Sequence, residues 1–121
     1  MTDSFRILIT GSRNWTDRAT IVKELNRYYL VYENITLVSG HCHTGADQLC
    51  EEYARLVGWS IERHPADWDT HGKKAGYLRN KEMVDLGANV CLAFIKDNSK
   101  GASMTARLAR KAGIETQIFS S

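Results

Sequence analysis

A chain of 121 residues, 43% hydrophobic and 25% charged, can bury a core of its own, which excludes a fibrous, disordered or disulfide-stapled miniature. Its formal net charge of +2 lacks the clustered basic excess of a general nucleic-acid binder. Three scattered cysteines and the lack of an N-terminal apolar h-region or long apolar run point to a reducing, cytoplasmic setting with no membrane partner.

The first strand is expected at 5–10, and Gly11-Ser12-Arg13 turns the chain out of it. A helix follows near 17–32. Its end carries Tyr28, Tyr29 and Tyr32, more aromatic surface than one core-facing stripe needs. They read either as packing against the sheet or as a self-association surface, and a homo-oligomer is expected.

The second strand, 35–39, leads into Ser39-Gly40-His41-Cys42-His43-Thr44-Gly45-Ala46-Asp47 and a helix at 44–57. Strand, glycine-bearing loop, helix start: this order offers unpaired N–H groups and a positive dipole end to an anion. Thr44 is placed to cap that helix, with Asp47 three residues on as in a capping box. Ala46, Leu49, Cys50, Tyr53 and Val57 recur at helical steps, which leaves Glu51, Glu52 and Arg55 mostly on the solvent side. Composition favours Asp47 as a first-turn carboxylate, a reading compatible with its being a partner for ribose hydroxyls.

A third strand is expected at 59–64, with Trp59 in the core. The stretch 65–74 reads as one long irregular loop, and loops on this edge of a sheet often carry function. Asp67 there suits a ribose contact or a general base. Trp15 and Trp68 are placed to stack on a base. The helix at 75–86 brings Arg79 and Asn80 one turn in from the same edge. The strand at 89–95 is almost continuously apolar, as one buried on both faces should be. Ser99, Gly101 and Ser103 then precede or open a helix at 102–112, and a last strand lies at 114–119. Gly58, Gly87 and Gly113 each follow a helical segment, the position of a C-terminal cap.

Alternating strands and helices predict a single α/β, Rossmann-like three-layer domain over 1–121. Its five parallel strands take the order 3-2-1-4-5, with helices on both faces. Ligands in such sheets bind beyond the carboxyl ends of the strands, at the switch point between the first and the fourth. The expected phosphate site gathers Gly11, Ser12 and Arg13 with Gly40, Thr44, Gly45 and Asp47, and with Ser99, Gly101 and Ser103. Arg13 supplies a planar fork, Ser12 a hydroxyl, and the glycines a close backbone approach. Base and ribose contacts are expected from Trp15, Asp67, Trp68 and Asn80. His41-Cys42-His43, even with His64 and His71, lacks a second well-spaced ligand pair, so neither a metal nor a cofactor is expected. Cys42 ranks low as a nucleophile, and Cys50 and Cys91 suit the core.

Five blocks stand in order: Gly11-Ser12-Arg13, Gly40-x-Cys42-x-Thr44-Gly45-Ala46-Asp47, Ala66-Asp67-Trp68, Gly72-x-x-Ala75-Gly76-x-x-Arg79-Asn80-x-x-Met83, and Ala93-Phe94 with Ser99-x-Gly101. Together they resemble the YspA/YpsA-related branch of the SLOG superfamily, small Rossmann-like proteins of bacteria and phages. The resemblance implies a sensor or binding module for a nucleotide or an ADP-ribose- or NAD-derived ligand. Relatives include the LOG phosphoribohydrolases, which imply N-glycosidic hydrolysis as an alternative, and DprA, which implies single-stranded nucleic-acid binding as another. Arg79-Asn80-x-x-Met83 is similar to the Arg-Lys-x-x-Met of LOG enzymes, whose arginine contributes to the active site. The LOG Gly-Thr-x-Glu corresponds to Gly101-Ala102-Ser103-Met104, which has no glutamate. Hydrolysis would then rest on Arg79 with Asp67, or with Asp47 or Glu82, because a carboxylate must stabilise the cationic sugar.

Overall fold

The computed structural model describes residues 4–120. Strands β1 (Phe5–Gly11), β2 (Ile35–Ser39), β3 (Ser60–Arg63), β4 (Val90–Ile95) and β5 (Glu115–Ser120) form one sheet in the order β3-β2-β1-β4-β5. Every pairing is parallel, with Ile7 opposite Leu37 on one side and Val90 on the other. Helices α1 (Arg18–Tyr29), α2 (Gly45–Val57), α3 (Trp68–His71), α4 (Ala75–Leu86) and α5 (Lys100–Lys111) supply the connections. This is the expected α/β Rossmann-like architecture and strand order. Among the described residues no helix is long and apolar enough to cross a membrane.

Side chains alternate across a strand, so the sheet carries two cores. Ile7, Ile9, Leu37, Leu92 and Phe94 face α1 and α2, where Ile21, Leu25, Ala46, Cys50 and Tyr53 cover them. Leu8, Val38 and Cys91 face the other way, onto Met83 and Val84 of α4 and Ala109 of α5. Each fully buried aliphatic side chain contributes about 2 kcal/mol, which fixes the register of the central strands. The chain leaving β1 passes to one face and the chain leaving β4 to the other. Between those departures a crevice must open.

Three boundaries depart from the sequence reading by more than one residue. Helix α1 ends at Tyr29 with Leu30 as its carboxyl cap, and the chain tightens there as the Val31 N–H bonds the Tyr28 carbonyl three residues back (3.1 Å), which the Tyr32 N–H shares (3.0 Å). That turn lays the Tyr32 ring on Phe5, with centroids 3.9 Å apart, and Tyr28 also stacks on Phe5. Residues 65–74 are not one irregular loop: Asp67 caps α3 by accepting the Thr70 N–H (3.1 Å), and a 3-10 turn over Gly72–Lys74 runs into α4. Helix α5 begins at Lys100, two residues early, so Gly101 and Ser103 lie in its first turn. Trp59, expected in the core, is half-buried and packs edge-on to Tyr53 at the margin of the core.

Candidate functional site

A cleft of about 590 Å³ opens beyond the carboxyl ends of β1 and β4. Of the residues expected there, Gly11, Ser12, Arg13, Gly40, Asp47, Arg79, Asn80, Ser99 and Gly101 line it. Helix α5 presents its amino end to this space. Ser99 occupies the cap position without a side-chain cap bond, and a methyl group on Gly101 would meet nothing within 4 Å. The first-turn N–H groups and the dipole end are thus available to an anion.

Ser12 lines the cleft, but its hydroxyl is engaged. It donates to the Lys96 carbonyl (3.1 Å) and accepts the Lys96 N–H (2.7 Å), while its own N–H donates to Phe94 (2.9 Å). Its carbonyl accepts from Trp15 and Ala46 (3.2 Å each). Ser12 therefore ties the end of β1 to the end of β4 and to the start of α2; it does not offer its hydroxyl to a phosphate.

Three of the four glycines serve protein packing where ligand approach was expected. A methyl group on Gly11 would strike Ala46, and one on Gly45 would strike the Ser12 carbonyl and the Arg13 backbone. Gly45 also sits at φ 73°, a conformation costly for any other L-residue. Gly40 lies under the Arg79 guanidinium, where a methyl group would come within 2.5 Å of Nη1. Only Gly101 of the four faces open space.

Arg79 spans the floor of the site. Its Nη1 donates to the Gly40 carbonyl (2.6 Å) and, at 3.4 Å, to His64, and its Nε donates to Asn80 Oδ1 (2.7 Å). Asn80 is thereby a support for Arg79, its oxygen taken, where a base or ribose contact was expected. Burial lowers the Arg79 pKa, against the pull of Asp47. Asp47 is itself only 7% exposed, and burial pushes its carboxyl up to about 6, opposed by the Cys42 N–H and by Arg79. Its Oδ2 accepts that Cys42 N–H at 3.1 Å. The capping box accordingly does not form: Thr44 makes no side-chain cap bond, and Asp47 reaches back past it.

Beneath the 40–43 loop lies a carboxylate that helical periodicity assigned to solvent. Glu51 is 2% exposed, with Ser39 Oγ donating to it at 2.8 Å, Arg63 Nε at 3.0 Å, and His41 Nδ1 at 3.0 Å. Burial raises its pKa, but these hydrogen bonds outweigh it and hold the carboxyl below its ordinary value. The cluster pins His41 at φ 57°, which sets the path of the loop through Gly40 and Cys42. The signal in the sequence was the strand-end pair Ser39 and Arg63, facing α2 across β2 and β3.

The remaining expected residues fall outside the main cleft. Trp15 is 2% exposed, edge-on to Phe94, with its indole N–H on the Asp17 carbonyl (3.0 Å), so it is core and not a stacking platform. Asp67 is exposed, and hydrogen bonds from Thr70 hold its carboxyl below its ordinary value, which suits its capping role. Ser103 lies in a shallower depression with Met104 and Arg107. Thr44 is exposed beside the site. Trp68 stands half-exposed over a side chamber, with the Arg13 guanidinium 5.9 Å from its ring centroid.

The cleft also gathers Asn14, which the loop after β1 carries to this edge, and residues the sequence reading passed over: Tyr77, Lys96 and Asp97. Asn14 Nδ2 donates to Asp97 Oδ2 (3.1 Å), joining the loops after β1 and β4. Asp97 and Asn98 take φ values of 55° and 53°. An Asp-Asn pair one residue beyond a buried strand signals such a left-handed turn, since these side chains tolerate it best.

Comparison with known proteins gives two matches. A family model described as YAcAr, the YspA, cpYpsA-related SLOG family, matches residues 5–71, from β1 through α3. The "Gene 61 protein" of Mycobacterium phage D29 is 48% identical over 125 residues, covering 94% of this chain and 95% of that protein. No solved structure matches.

Proposed function

The chain belongs to the YspA, cpYpsA-related SLOG family, and from that membership and the cleft we propose that it binds a phosphate-bearing nucleotide, a mononucleotide or an ADP-ribose- or NAD-derived ligand, as a sensor or binding module. The observation that carries this reading is the uncapped amino end of α5 opening onto the same cleft as Arg13, Arg79 and the buried Asp47. Phosphate would sit at the α5 end, where dipole and N–H groups meet an anion. Arg13 would add a charged fork, and Asp47 would accept from ribose hydroxyls. The test is thermal unfolding with AMP, because a bound ligand stabilises by mass action. A concentration-dependent rise in Tm, lost in Arg79→Ala, supports the reading; no rise with AMP, ADP or NAD sinks it.

A second reading, N-glycosidic hydrolysis, draws on Asp47. Of the three carboxylates considered for that role, it is the one lining the cleft, and a carboxyl titrating near 6 is largely ionised at neutral pH. Arg79 and Asp47 would then act on the bond between sugar and base. Free adenine from AMP, or nicotinamide from NAD, absent with Asp47→Asn, would establish it.

We also propose self-association through the opposite end of the sheet. Tyr29, Leu30, Val31 and Tyr32 are 49, 81, 70 and 41% exposed, an apolar patch unusual for a monomer surface.

A further inference from the structure

The cleft does not end at Arg13 and Arg79. On their far side lies a second chamber of about 320 Å³, and four residues, Arg13, Gly40, Cys42 and Arg79, line both spaces. The two arginines therefore stand at a neck joining two chambers. The main chamber has the α5 amino end and the buried Asp47. The side chamber has a different character. His41 and His43 meet edge to face on one wall, with ring centroids 5.1 Å apart, and Trp68 stands on another beside Pro65 and Ala66.

We infer that the side chamber is a stacking site for the second, planar end of a two-ended pyrophosphate ligand, a dinucleotide whose diphosphate crosses the neck between Arg13 and Arg79. The inference rests on the nucleotide reading above and narrows it from any phosphate-bearing nucleotide to one with a heteroaromatic ring at each end. Three features converge on it. Two guanidinium groups lining both spaces match a doubly charged linker, because Arg13 presents a fork of donors to phosphate oxygens and Arg79, whose Nε and Nη1 hold Asn80, Gly40 and His64, adds its charge and its remaining nitrogen. The side chamber offers ring faces to a flat group. The one-turn helix α3 that begins at Trp68 has its amino end capped by Asp67, so that wall of the chamber offers a ring face and not a seat for a second terminal phosphate.

Trp68 is the residue that decides. It lies outside both hydrophobic cores, half-exposed on the one-turn helix α3, so its removal leaves the fold intact. Before ligand arrives, Arg13 occupies the space near its ring; a planar group would displace that cation toward the diphosphate.

The experiment is calorimetric titration of wild type, Trp68→Ala and Trp68→Phe with ADP, ADP-ribose and NAD. ADP has the diphosphate alone, ADP-ribose adds a sugar, and NAD adds the second ring. The expected result is NAD binding about tenfold tighter than ADP or ADP-ribose in wild type, the scale of one base–aromatic stack. Trp68→Ala should abolish that difference, with a loss falling on NAD well beyond any on ADP, and Trp68→Phe should keep most of it. Equal affinity for ADP and NAD in wild type overturns the inference but leaves the nucleotide reading standing. So does a Trp68→Ala loss that falls equally on ADP and NAD. If none of the three ligands binds wild type, the nucleotide reading itself fails.

Discussion

Arg79 and Gly40 are packed so closely that each determines the other: Nη1 donates to the Gly40 carbonyl at 2.6 Å, and a methyl group at Gly40 would lie 2.5 Å from the same nitrogen. The atom that would be struck ends a long flexible side chain, so Gly40→Ala displaces Arg79 and spares the backbone. The expected outcome is a stability change within about 1 kcal/mol. AMP affinity should fall about tenfold, the scale of one charge-assisted contact. Denaturant unfolding and titration with AMP check the two halves separately.

Gly45→Ala has the opposite signature. Its methyl group meets the backbone of Ser12 and Arg13, which cannot swing aside, and φ is 73°. Left-handed strain alone costs about 1–2 kcal/mol, and the collision adds to it. Loss of about 3 kcal/mol or more in urea unfolding is expected, with or without ligand.

Ser12→Ala separates a structural hydroxyl from a phosphate ligand. The half-buried Lys96 N–H loses its partner, and the Lys96 carbonyl keeps only the Ser99 N–H (3.3 Å). A loss of about 1–3 kcal/mol in chemical unfolding is expected without any ligand present. Undiminished stability combined with lost AMP binding would instead return the hydroxyl to phosphate.

The pH dependence follows from Asp47. Its carboxyl is raised from 3.8 to about 6 by burial, so between those values the folded chain holds a proton that the unfolded chain has released. Its stabilising contribution is therefore full below about pH 4 and is lost as pH rises through 6, by at most about 3 kcal/mol. Glu62 works in the other direction and in a lower window. Arg6 holds its carboxyl down to about 2 from 4.5, so its contribution is present above 4.5 and lost as pH falls. Stability should peak near pH 4–5. Asp47→Asn should flatten the decline toward pH 7 and be the more stable form there, as unfolding curves across pH 4–8 will read.

Self-association is tested at Leu30, 81% exposed in the patch beyond α1. A charge there should leave Tm nearly unchanged, since nothing in the monomer covers the side chain. Sedimentation of Leu30→Glu should give a monomer where wild type gives a larger species. Identical sedimentation of the two would exclude this patch.

The sheet was legible in the sequence because its signals are local. Ile7, Leu8 and Ile9, and the run from Val90 to Ile95, are apolar where strands buried on both faces must be, and a glycine such as Gly58 marks where a helix stops. Parallel strands with helical crossovers then leave few topologies, so order and switch point followed. The list of residues near the site was largely legible too, because position in that topology places a loop at the ligand edge. What each residue does there was not. Ser12, Gly11 and Gly45 had the chemistry for a ligand, and Glu51 had a surface pattern, yet each is taken up by a neighbour distant in sequence: Lys96, Ala46, the Ser12 backbone and Ser39, while Asn80 is taken by the adjoining Arg79 that the fold turns toward Gly40. A hydroxyl or a glycine is the same in the sequence whether it meets a phosphate or a backbone. Only the tertiary structure, by bringing a second strand end or helix start within 3 Å, decides which.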